Sequence, residues 1–569
     1  MHTQTQSVQF LYRKYRILTN ELNSKKMKTK KRIMLTGLAC GLYVSGLLAG
    51  GLLTNTNQSV HFLRNPARTA SFEIDAVYTN PAGLAKLSNG LHFSLNNQSA
   101  FQTRTITSTF PLFAANGGSE TKSFEGEATA PVIPSLMGAY KNGKWVASFY
   151  VGVIGGGGTL TFDKGLPSFE IPISMLPSQL SASGVPTTQY SVDAYFKGSS
   201  MIIGGQLGVT YALSDVFSVY AGARINMASN SYVGHLRNIS INPAHPALNP
   251  SGNMMLANTF FSNAQQAAIL AQQAAQGASD LLQLAIIAGA GQFTLNQMVA
   301  AGNLTQAQVD QLAGGLGLSP QELGVISVNQ VQEAFNNAVI IAGTAAATYG
   351  SSAAQTADKN LDNKQSGKGI TPIIGFNLNF DKLNIGAKYE FRTNMNIENK
   401  TEVDDTGLFP DGAKTPYDMP ALFTLGAQYE VIPGVSVSAG FHHFFDSDAK
   451  MQNDKQKHIN GGINEFLLGA EWKINKLFLV SAGGQMTRTG ATDDFQSDMS
   501  YSLNSYSIGF GGAINVSKSV RINLAYFFTN YEDWTKTPFN VSSSIPMASG
   551  KDIFARTNKA FGIGLDFRF

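Results

Sequence analysis

Residues that could carry catalytic or metal chemistry are sparse in this sequence, and their spacing keeps them apart. His442 and His443 are adjacent in an alternating stretch, so their side chains point to opposite faces of a strand and cannot form one site. Pairs of acidic residues could bind Ca²⁺, although such loop pairs are usually solvated; they are Asp404 and Asp405, Asp446 and Asp448, and Asp493 and Asp494. The sequence has neither a convincing Ser/His/Asp set nor a phosphate-binding loop, so we predict no catalytic residue, cofactor or metal.

Two other features indicate ligand binding and a weak point in a sheet. Arg237 could pair with a carboxylate through its fork of donors, or it could be a solvated charge at a rim. A glycine-rich run gives a strand no side chains to pack and favours a bulge or kink; its members are Gly152, Gly155, Gly156, Gly157 and Gly158. The alternative is that the four consecutive glycines only begin a loop.

Composition and charge narrow the class of protein. The chain has 569 residues with one cysteine, 57 glycines and 14% charged residues, which excludes a disulfide scaffold and a disordered polymer. Nine of the 41 basic residues and one of the 37 acidic residues fall within residues 1–50, which leaves 32 basic and 36 acidic residues elsewhere. Because the remainder is net acidic, nucleic-acid binding loses its electrostatic basis.

The basic start of the chain has the pattern of an export signal. Lys28–Arg32 is a basic cluster, Ile33–Leu53 is an uncharged run, and the small residues Ala49–Gly51 offer a cleavage site. This order predicts a leader and signal peptide over residues 1–50 and an exported protein. The alternative is a retained transmembrane anchor, since the run is long enough to span a membrane.

Most of the remaining chain alternates apolar and polar residues with period two, as strands do. Clear examples are Leu383–Phe391, Val520–Phe528 and Phe561–Phe569. We count about fourteen strands, which start near residues 91, 131, 144, 188, 216, 368, 383, 419, 435, 464, 477, 502, 519 and 558. The predicted fold class is therefore all-β over residues 91–569.

The connections between these strands alternate strictly between short and long. Short polar links follow every even-numbered strand, such as the hairpin signal Lys141–Gly143, whereas long polar stretches follow every odd-numbered strand. Short turns at one rim and long loops at the other are typical of an outer-membrane barrel with an even strand number. Because lipid cannot satisfy an open sheet edge, we predict a closed antiparallel transmembrane β-barrel in the outer membrane of a Gram-negative bacterium.

One connection, residues 238–367, differs in kind from the others. Its central part, Met254–Ala357, is rich in Ala and Gln and contains no Lys or Arg. Repeated capping boxes predict several short helices in it; the boxes begin at Ser262, Thr294, Thr305, Ser319 and Ser327. Its apolar residues could pack on one another as a cap over the pore, and they could also form the first contact with an apolar ligand.

Residues 51–90, before the first strand, show no long alternating pattern, and Pro and Gly recur in them. A barrel of this size encloses a lumen wider than its side chains can fill, because about eight strands are already filled by theirs. We therefore predict that this N-terminal part lies inside the barrel as a plug, or hatch.

Several motifs, in this order, resemble one family of outer-membrane proteins. They are Asn80-Pro81-Ala82-Gly83-Leu84 before the first strand, Ile133–Leu136, the Gly155–Gly158 run after Lys144-Trp145, and Asp418–Pro420 at the eighth strand. In order and spacing they resemble the FadL-type long-chain fatty acid transporters, which include porins for aromatic hydrocarbons. The resemblance spans nearly the whole mature chain, although the hatch is short and the helical loop is long for that family.

The resemblance implies passive uptake of hydrophobic small molecules such as fatty acids or aromatic hydrocarbons. In such a transporter the ligand is caught among the external loops, moves to an apolar pocket beside the hatch, and leaves sideways into outer-membrane lipid at a kinked third strand. The residues implied for the ligand site are Phe62, Leu63, Tyr78, Asn80, Pro81, Leu84 and Arg237. The residues implied for the lateral gate are Gly152, Gly155, Gly156, Gly157 and Gly158.

Two other functions stay open from the sequence. A plugged barrel could display the loop at residues 238–367 as a surface for adhesion or for binding a partner. A general aqueous porin would instead need an open lumen, which the predicted hatch argues against.

Overall fold

The protein is described from a computed structural model, which covers residues 52–536, 539–540 and 549–569. The predicted leader and signal peptide lie outside these residues. Fourteen long strands dominate the described chain. They are β1 (Gly90–Thr109), β2 (Thr121–Asn142), β3 (Trp145–Phe162), β4 (Tyr190–Ala212), β5 (Phe217–Ile241), β6 (Lys359–Phe380), β7 (Leu383–Glu390), β8 (Leu422–Ile432), β9 (Val435–Phe444), β10 (Ile463–Lys473), β11 (Phe478–Arg488), β12 (Ser505–Asn515), β13 (Val520–Tyr531) and β14 (Ser549–Arg568).

The fourteen strands form one closed antiparallel barrel. Each strand pairs with the next along the chain. β1 also pairs with β14, so that His92 lies opposite Arg568. Short strands extend the sheet outside this ring at Met255–Leu256, Asn396–Asp404, Lys414–Pro416, Trp534–Thr535 and Phe539–Asn540. The predicted all-β fold and strand number are confirmed, because the first and last strands close the ring.

The two faces of the wall have the polarity of a membrane barrel. Along β5, Arg224 and Asn226 are buried inside the ring, whereas the neighbouring Ile225 and Met227 are 54% and 45% exposed on its outside. A soluble sheet buries its apolar face and exposes its polar face. An apolar outer face and a polar lumen are instead typical of strands that cross lipid.

Connection lengths follow the predicted alternation. Short links follow the even-numbered strands, at residues 143–144, 213–216, 381–382, 433–434, 474–477 and 516–519. We call the rim that they form the short-turn rim and the opposite rim the loop rim. Gly143 adopts a φ of +57° in the first of these links, a conformation that glycine accepts without strain.

Several strands are longer than the sequence pattern predicts, always at the loop rim. β2 begins at residue 121 rather than 131, β6 at 359 rather than 368, and β14 at 549 rather than 558. The added stretch of β6, Lys359–Lys368, contains almost no apolar side chains. A strand that extends beyond the membrane needs no apolar outer face, so it lacks the period-two signal.

The helices lie in the segment before β1 and in the loops. They are α1 (Val60–Arg64), α2 (Ala76–Thr79), α3 (Pro167–Ser174), α4 (Leu176–Ala182), α5 (Ala257–Ile287), α6 (Leu295–Ala300), α7 (Gln306–Leu316), α8 (Pro320–Gly324) and α9 (Val328–Thr356). 3₁₀ turns occupy Pro81–Lys86, Pro111–Ala115, Asp446–Asp448 and Gln452–His458. Within the described residues, no helix has the length and apolarity to cross a membrane.

The loop between β5 and β6 is a helical hairpin, in which α5 and α9 pack side by side. Ser279 Oγ of α5 donates a hydrogen bond to Asn336 Oδ1 of α9 at 2.6 Å. The predicted capping box at Ser262 is wrong, because α5 begins earlier, after Met255–Leu256 pairs with β5. The other predicted boxes are confirmed, at Thr294, Thr305, Ser319 and Ser327.

The far end of this hairpin has an apolar core of its own, shared with α6, α7 and α8. Its members include Leu282, Leu295, Val309, Leu323 and Phe335. The base of α5 instead contributes Phe260 and Phe261 to a separate apolar cluster at the loop rim. Phe261 and Ala275 belong to different clusters and lie 14 residues apart on α5, which is about 21 Å along the helix. Some apolar residues of the loop, such as Leu282, therefore pack on one another, whereas Leu284, Ile287 and Ile340 are exposed.

Residues 52–87, which we call the N-terminal segment, are almost entirely buried. The wall residues that hydrogen bond to the segment come from strands all around the ring: Asn96 of β1, Gln206 of β4, Asn377 of β6, His442 of β9 and Ser481 of β11. The wall strands therefore enclose the segment.

Candidate functional site

Buried charges attach the N-terminal segment to the wall. The fully buried Arg64 donates a hydrogen bond from Nη1 to Glu471 Oε2 at 2.6 Å. Within the segment itself, Arg68 donates to both carboxylate oxygens of Asp75 at 2.8 Å and to Glu73 Oε2 at 2.9 Å. Paired and hydrogen-bonded charges tolerate burial, whereas an unpaired one would cost about 3–5 kcal/mol. The pair of Arg64 with Glu471 therefore favours one position of the segment against the wall, and the pairs of Arg68 stabilise the fold of the segment itself.

One group in this network has the composition of a metal site. His61, Glu73 and Asp75 each place a potential ligand atom within 4.8 Å of the others. Both carboxylates are engaged by guanidinium groups, since Arg68 binds both and Arg521 Nη1 donates to Glu73 Oε1 at 2.8 Å. The arginines supply the positive charge that a metal ion would otherwise supply, so we interpret the group as part of the ion network.

The Asn80-Pro81 motif binds the wall on the other side of the segment. Asn80 Nδ2 donates to Ser71 O at 2.9 Å and to Asn377 Oδ1 at 2.8 Å, and Pro81 O accepts from Thr210 Oγ1 at 2.7 Å. A Cβ on Gly83 would lie 2.5 Å from Ser71 O, so the motif needs glycine there. The structure thus places Asn80 and Pro81 in contacts with β4 and β6.

A small cavity lies between the N-terminal segment and β7, β8 and β9. Its volume is about 10 Å³, which is room for about one water molecule. Phe62 and Tyr78, two of the residues implied for ligand binding, both line it. Thr56 and Thr424 also line it, and their buried hydroxyls have no hydrogen-bond partner among the described residues. The cavity has a mixed lining, whereas the resemblance implied an apolar pocket.

The other residues implied for ligand binding lie elsewhere. Leu63 packs against β14, where a Cβ on Gly562 would lie 2.8 Å from Leu63 Cδ1. Leu84 is buried in a different apolar cluster from Phe62. Arg237 is exposed near the loop-rim end of β5, where its guanidinium donates to Asn360 Oδ1. Arg237 therefore lies away from the enclosed segment, as the alternative of a solvated charge at a rim expected.

His442 faces the lumen and contacts the N-terminal segment, a contact that the sequence analysis did not predict. Its Nδ1 lies 2.9 Å from Glu465 Oε2, and its Nε2 lies 2.9 Å from Thr69 Oγ1 of the N-terminal segment. His443 is directed to the other face of β9, with Nδ1 2.8 Å from Asn464 Oδ1. The predicted separation of the two histidines is confirmed, but the contact with Thr69 needs the fold to reveal it.

The wall has an unpaired stretch between β2 and β3. The two strands pair from Asn142 opposite Trp145 to Ser135 opposite Gly152, and again at Glu127 opposite Thr161. Between these points, residues 128–134 of β2 and 153–160 of β3 do not pair with each other. We call this stretch the wall gap.

Both edges of the wall gap carry residues that disfavour pairing. Pro131 and Pro134 of β2 have no N–H to donate, and proline in sheets is confined to edges. On β3, Gly156 and Gly158 adopt φ values of +90° and +68°, and the register with β4 shifts at Gly155. The glycine run therefore lies inside β3, which continues to Phe162, and it coincides with bulges.

The start of the N-terminal segment lies directly behind the wall gap. Asn55 N donates to Ile154 O at 2.7 Å. A Cβ on Gly155 would lie 1.9 Å from Leu53 O, so only glycine permits this approach. Asn55 O also accepts a hydrogen bond from Tyr78 Oη at 3.1 Å. Asn55 therefore contacts both Ile154 at the wall gap and Tyr78, which lines the small cavity.

One buried carboxyl group beside this segment should make stability depend on pH. Asp446, beyond the end of β9 at the loop rim, accepts a hydrogen bond from Leu52 N at 3.4 Å. Burial raises the pKa of Asp446 to about 7. Between about pH 4 and pH 7 the Asp446 carboxyl is protonated in the folded protein and ionised in the unfolded chain. The free energy of unfolding therefore falls by up to about 4 kcal/mol as the pH rises through this window.

We expect Asp446→Asn to remove that loss of stability, because the amide stays neutral at every pH. The measurement is urea unfolding of the detergent-solubilised barrel at pH 4, 5.5 and 8. Asp448→Asn is the matched control, since Asp448 is exposed two residues away. Equal pH profiles for Asp446→Asn and the unchanged protein would contradict the assignment.

Comparison with known proteins supports the fold that this geometry shows. No protein-family model matches the sequence, and no curated protein matches it. A FadL homologue of Pseudomonas aeruginosa matches over 91% of this chain and 100% of its own, with 11% identity and a TM-score of 0.52. The toluene transporter TodX of Pseudomonas putida matches over 92% and 100%, with 13% identity and a TM-score of 0.46. The chain therefore has the fold of a FadL homologue, as the motifs around Asn80 implied.

Proposed function

We propose that the protein is an outer-membrane channel for passive uptake of hydrophobic small molecules, such as long-chain fatty acids or aromatic hydrocarbons. The cargo diffuses sideways through the barrel wall into membrane lipid. The observation that carries this proposal is the wall gap between β2 and β3, with Asn55 directly behind it. No energy source is required, because the cargo moves down its concentration gradient.

In this proposal the N-terminal segment is the hatch. Its hydrogen bonds to strands around the ring and its buried pairs, such as Arg64 with Glu471, hold it across the lumen. The cavity at Phe62 and Tyr78 has the volume of about one water molecule, so the described conformation is a closed one. Such a segment keeps water and ions from crossing while apolar cargo uses another route.

The cargo route runs from the small cavity to the wall gap. Tyr78 lines the cavity and donates to Asn55 O, and Asn55 N pairs with Ile154 at the gap. Movement of residues 53–55 away from β3 therefore enlarges the cavity and uncovers the gap together. On the outside, Val132 is 68% exposed at the edge of the gap, which gives the exit an apolar border toward lipid.

The proposal is tested by what the protein retains. Purified barrel is soaked in a mixed pool of fatty acids and aromatic hydrocarbons, and bound molecules are identified by mass spectrometry. We expect one apolar class to stay bound and Phe62→Ala with Tyr78→Ala to reduce its retention. Arg237→Ala is the control, because Arg237 lies on the exposed face. Retention of nothing by an intact barrel would contradict the proposal.

A second candidate is a surface protein that uses the helical hairpin to bind a partner. The observation that favours it is the exposure of large apolar side chains on the hairpin: Leu284 is 67% exposed, Ile287 74% and Ile340 65%. Deletion of residues 254–357 discriminates the two functions. Uptake should persist at reduced level if the protein is a channel, whereas binding to cells should be lost if the hairpin is the functional surface.

A further inference from the structure

A second and larger cavity opens at the short-turn rim, between the N-terminal segment and the wall. Its volume is about 480 Å³, within the range of sites that bind small molecules. The segment contributes residues 72–74, 86 and 87. The rest of the lining is Ser88, His92, Lys476 of the turn before β11, and residues at the ends of β12, β13 and β14. This rim cavity shares no lining residue with the cavity at Phe62 and Tyr78.

The acidic residues of the rim cavity are already engaged at its inner end. Glu73 Oε1 accepts from Arg521 Nη1 at 2.8 Å. Asp566 Oδ2 lies 3.1 Å from His61 Nε2, and Asp566 Oδ1 accepts from Ser94 Oγ at 2.7 Å. These two carboxylates therefore serve the contacts between the segment and the wall.

The cations at the mouth of the rim cavity have no such partners. Lys476, Lys518 and Arg568 are exposed lining residues, and none forms a salt bridge within the part of the chain that the structure describes. Lys86 also lines the cavity, and its Nζ donates to the backbone oxygen of Asp215 at 2.5 Å rather than to a carboxylate. The cavity therefore presents positive charge that the described side chains do not neutralise.

Apolar side chains complete the lining beside these cations. They are Phe72, Ile74 and Leu87 of the N-terminal segment. A bare inorganic anion would leave this apolar surface unused, and a neutral hydrocarbon would leave the cations unpaired. A molecule with an apolar chain and an oxyanion head satisfies both parts of the lining.

We propose that the rim cavity binds an anionic amphiphile, with its carboxylate or phosphate head among Lys476, Lys518 and Arg568 and its chain against the apolar lining. This binding does not require the wall gap, because the cavity opens to solvent at the short-turn rim. The rim cavity is therefore a site separate from the proposed cargo route, and its cations select a molecule with an anionic head.

The test compares an anion with its neutral analogue by isothermal titration calorimetry. Full-length barrel in non-ionic detergent is titrated with octanoate and, separately, with octanol. We expect the variant Lys476→Gln/Lys518→Gln/Arg568→Gln to bind octanoate at least about tenfold more weakly and octanol unchanged. Salt should weaken octanoate binding to the unchanged protein more than to the variant.

The matched control is Lys144→Gln/Lys382→Gln/Lys400→Gln, which removes the same charge from exposed lysines that do not line the cavity. Heat-modifiable gel mobility verifies that both triple variants fold. Equal octanoate affinity in the cavity variant, or an equal loss in the control, would overturn the proposal. Binding of inorganic phosphate as tightly as octanoate would overturn the amphiphile assignment, since the chain would then contribute nothing.

Discussion

Uptake of a hydrophobic substrate should fall about tenfold or more when the wall gap is sealed. Continuous pairing of β2 with β3 then closes the opening through which the substrate reaches the lipid. The variant deletes Gly157 and replaces Pro131 and Pro134 with Thr. Residues 128–134 face residues 153–160, so β3 has one more residue than β2 between their flanking pairs. Deletion of one glycine removes that excess, and threonine restores the missing N–H donors.

The measurement is the initial rate of labelled fatty acid or toluene uptake by cells that express equal amounts of folded barrel. Deletion of Gly117 is the matched control, because a Cβ there would meet open space in the β1–β2 loop. A variant with only Pro131→Thr and Pro134→Thr restores the N–H donors of β2 and leaves the extra residue in β3. It therefore separates the effect of the donors from the effect of the strand register. Unchanged uptake in a folded, sealed variant would show that cargo leaves by another path.

Ion conductance should rise from near zero to a large, steady value when Arg64 is replaced by Met. The substitution leaves Glu471 with Arg68 Nη1 at 3.7 Å as its closest cationic partner. Removal of one member of a buried pair costs about 3–5 kcal/mol, which is enough to shift the N-terminal segment from its enclosed position. The measurement is single-channel recording of the purified barrel in a planar bilayer.

A double variant distinguishes loss of charge pairing from loss of packing. Arg64→Met with Glu471→Met removes both charges, and such replacements are often neutral, so conductance should return toward zero. Arg237→Met is the control, since it removes an arginine from the exposed face. A steady conductance in the unchanged protein would instead identify an open porin.

Much of the fold follows from short-range patterns in the sequence. Period-two stretches identify every wall strand, because each must present one face to lipid and one to the lumen. The pattern fails where strands leave the membrane, as at Lys359–Lys368, because no apolar face is needed there. The capping-box signal at Ser262 misplaces the start of α5, because the helix begins directly after Met255–Leu256 pairs with β5.

The candidate site was harder to predict, because its contacts join distant residues. Arg64 and Glu471 are 407 residues apart, and no local pattern connects them. The exposure of Arg237 follows from parity, since the buried residues of β5 near Arg224 and Asn226 have even numbers. The glycine run at Gly155–Gly158 was visible in the sequence, but its relation to the prolines of β2 needed the register.

The most direct test of the account is to map where a cargo molecule touches the barrel. A fatty acid or alkylbenzene that carries a diazirine is photolysed during uptake, and labelled peptides are identified by mass spectrometry. The account predicts labels at residues 53–55, 128–134 and 153–160, which form the two edges of the wall gap and the segment behind it. Labels confined to the external loops and the short-turn rim, with none at these residues, would contradict passage through the wall.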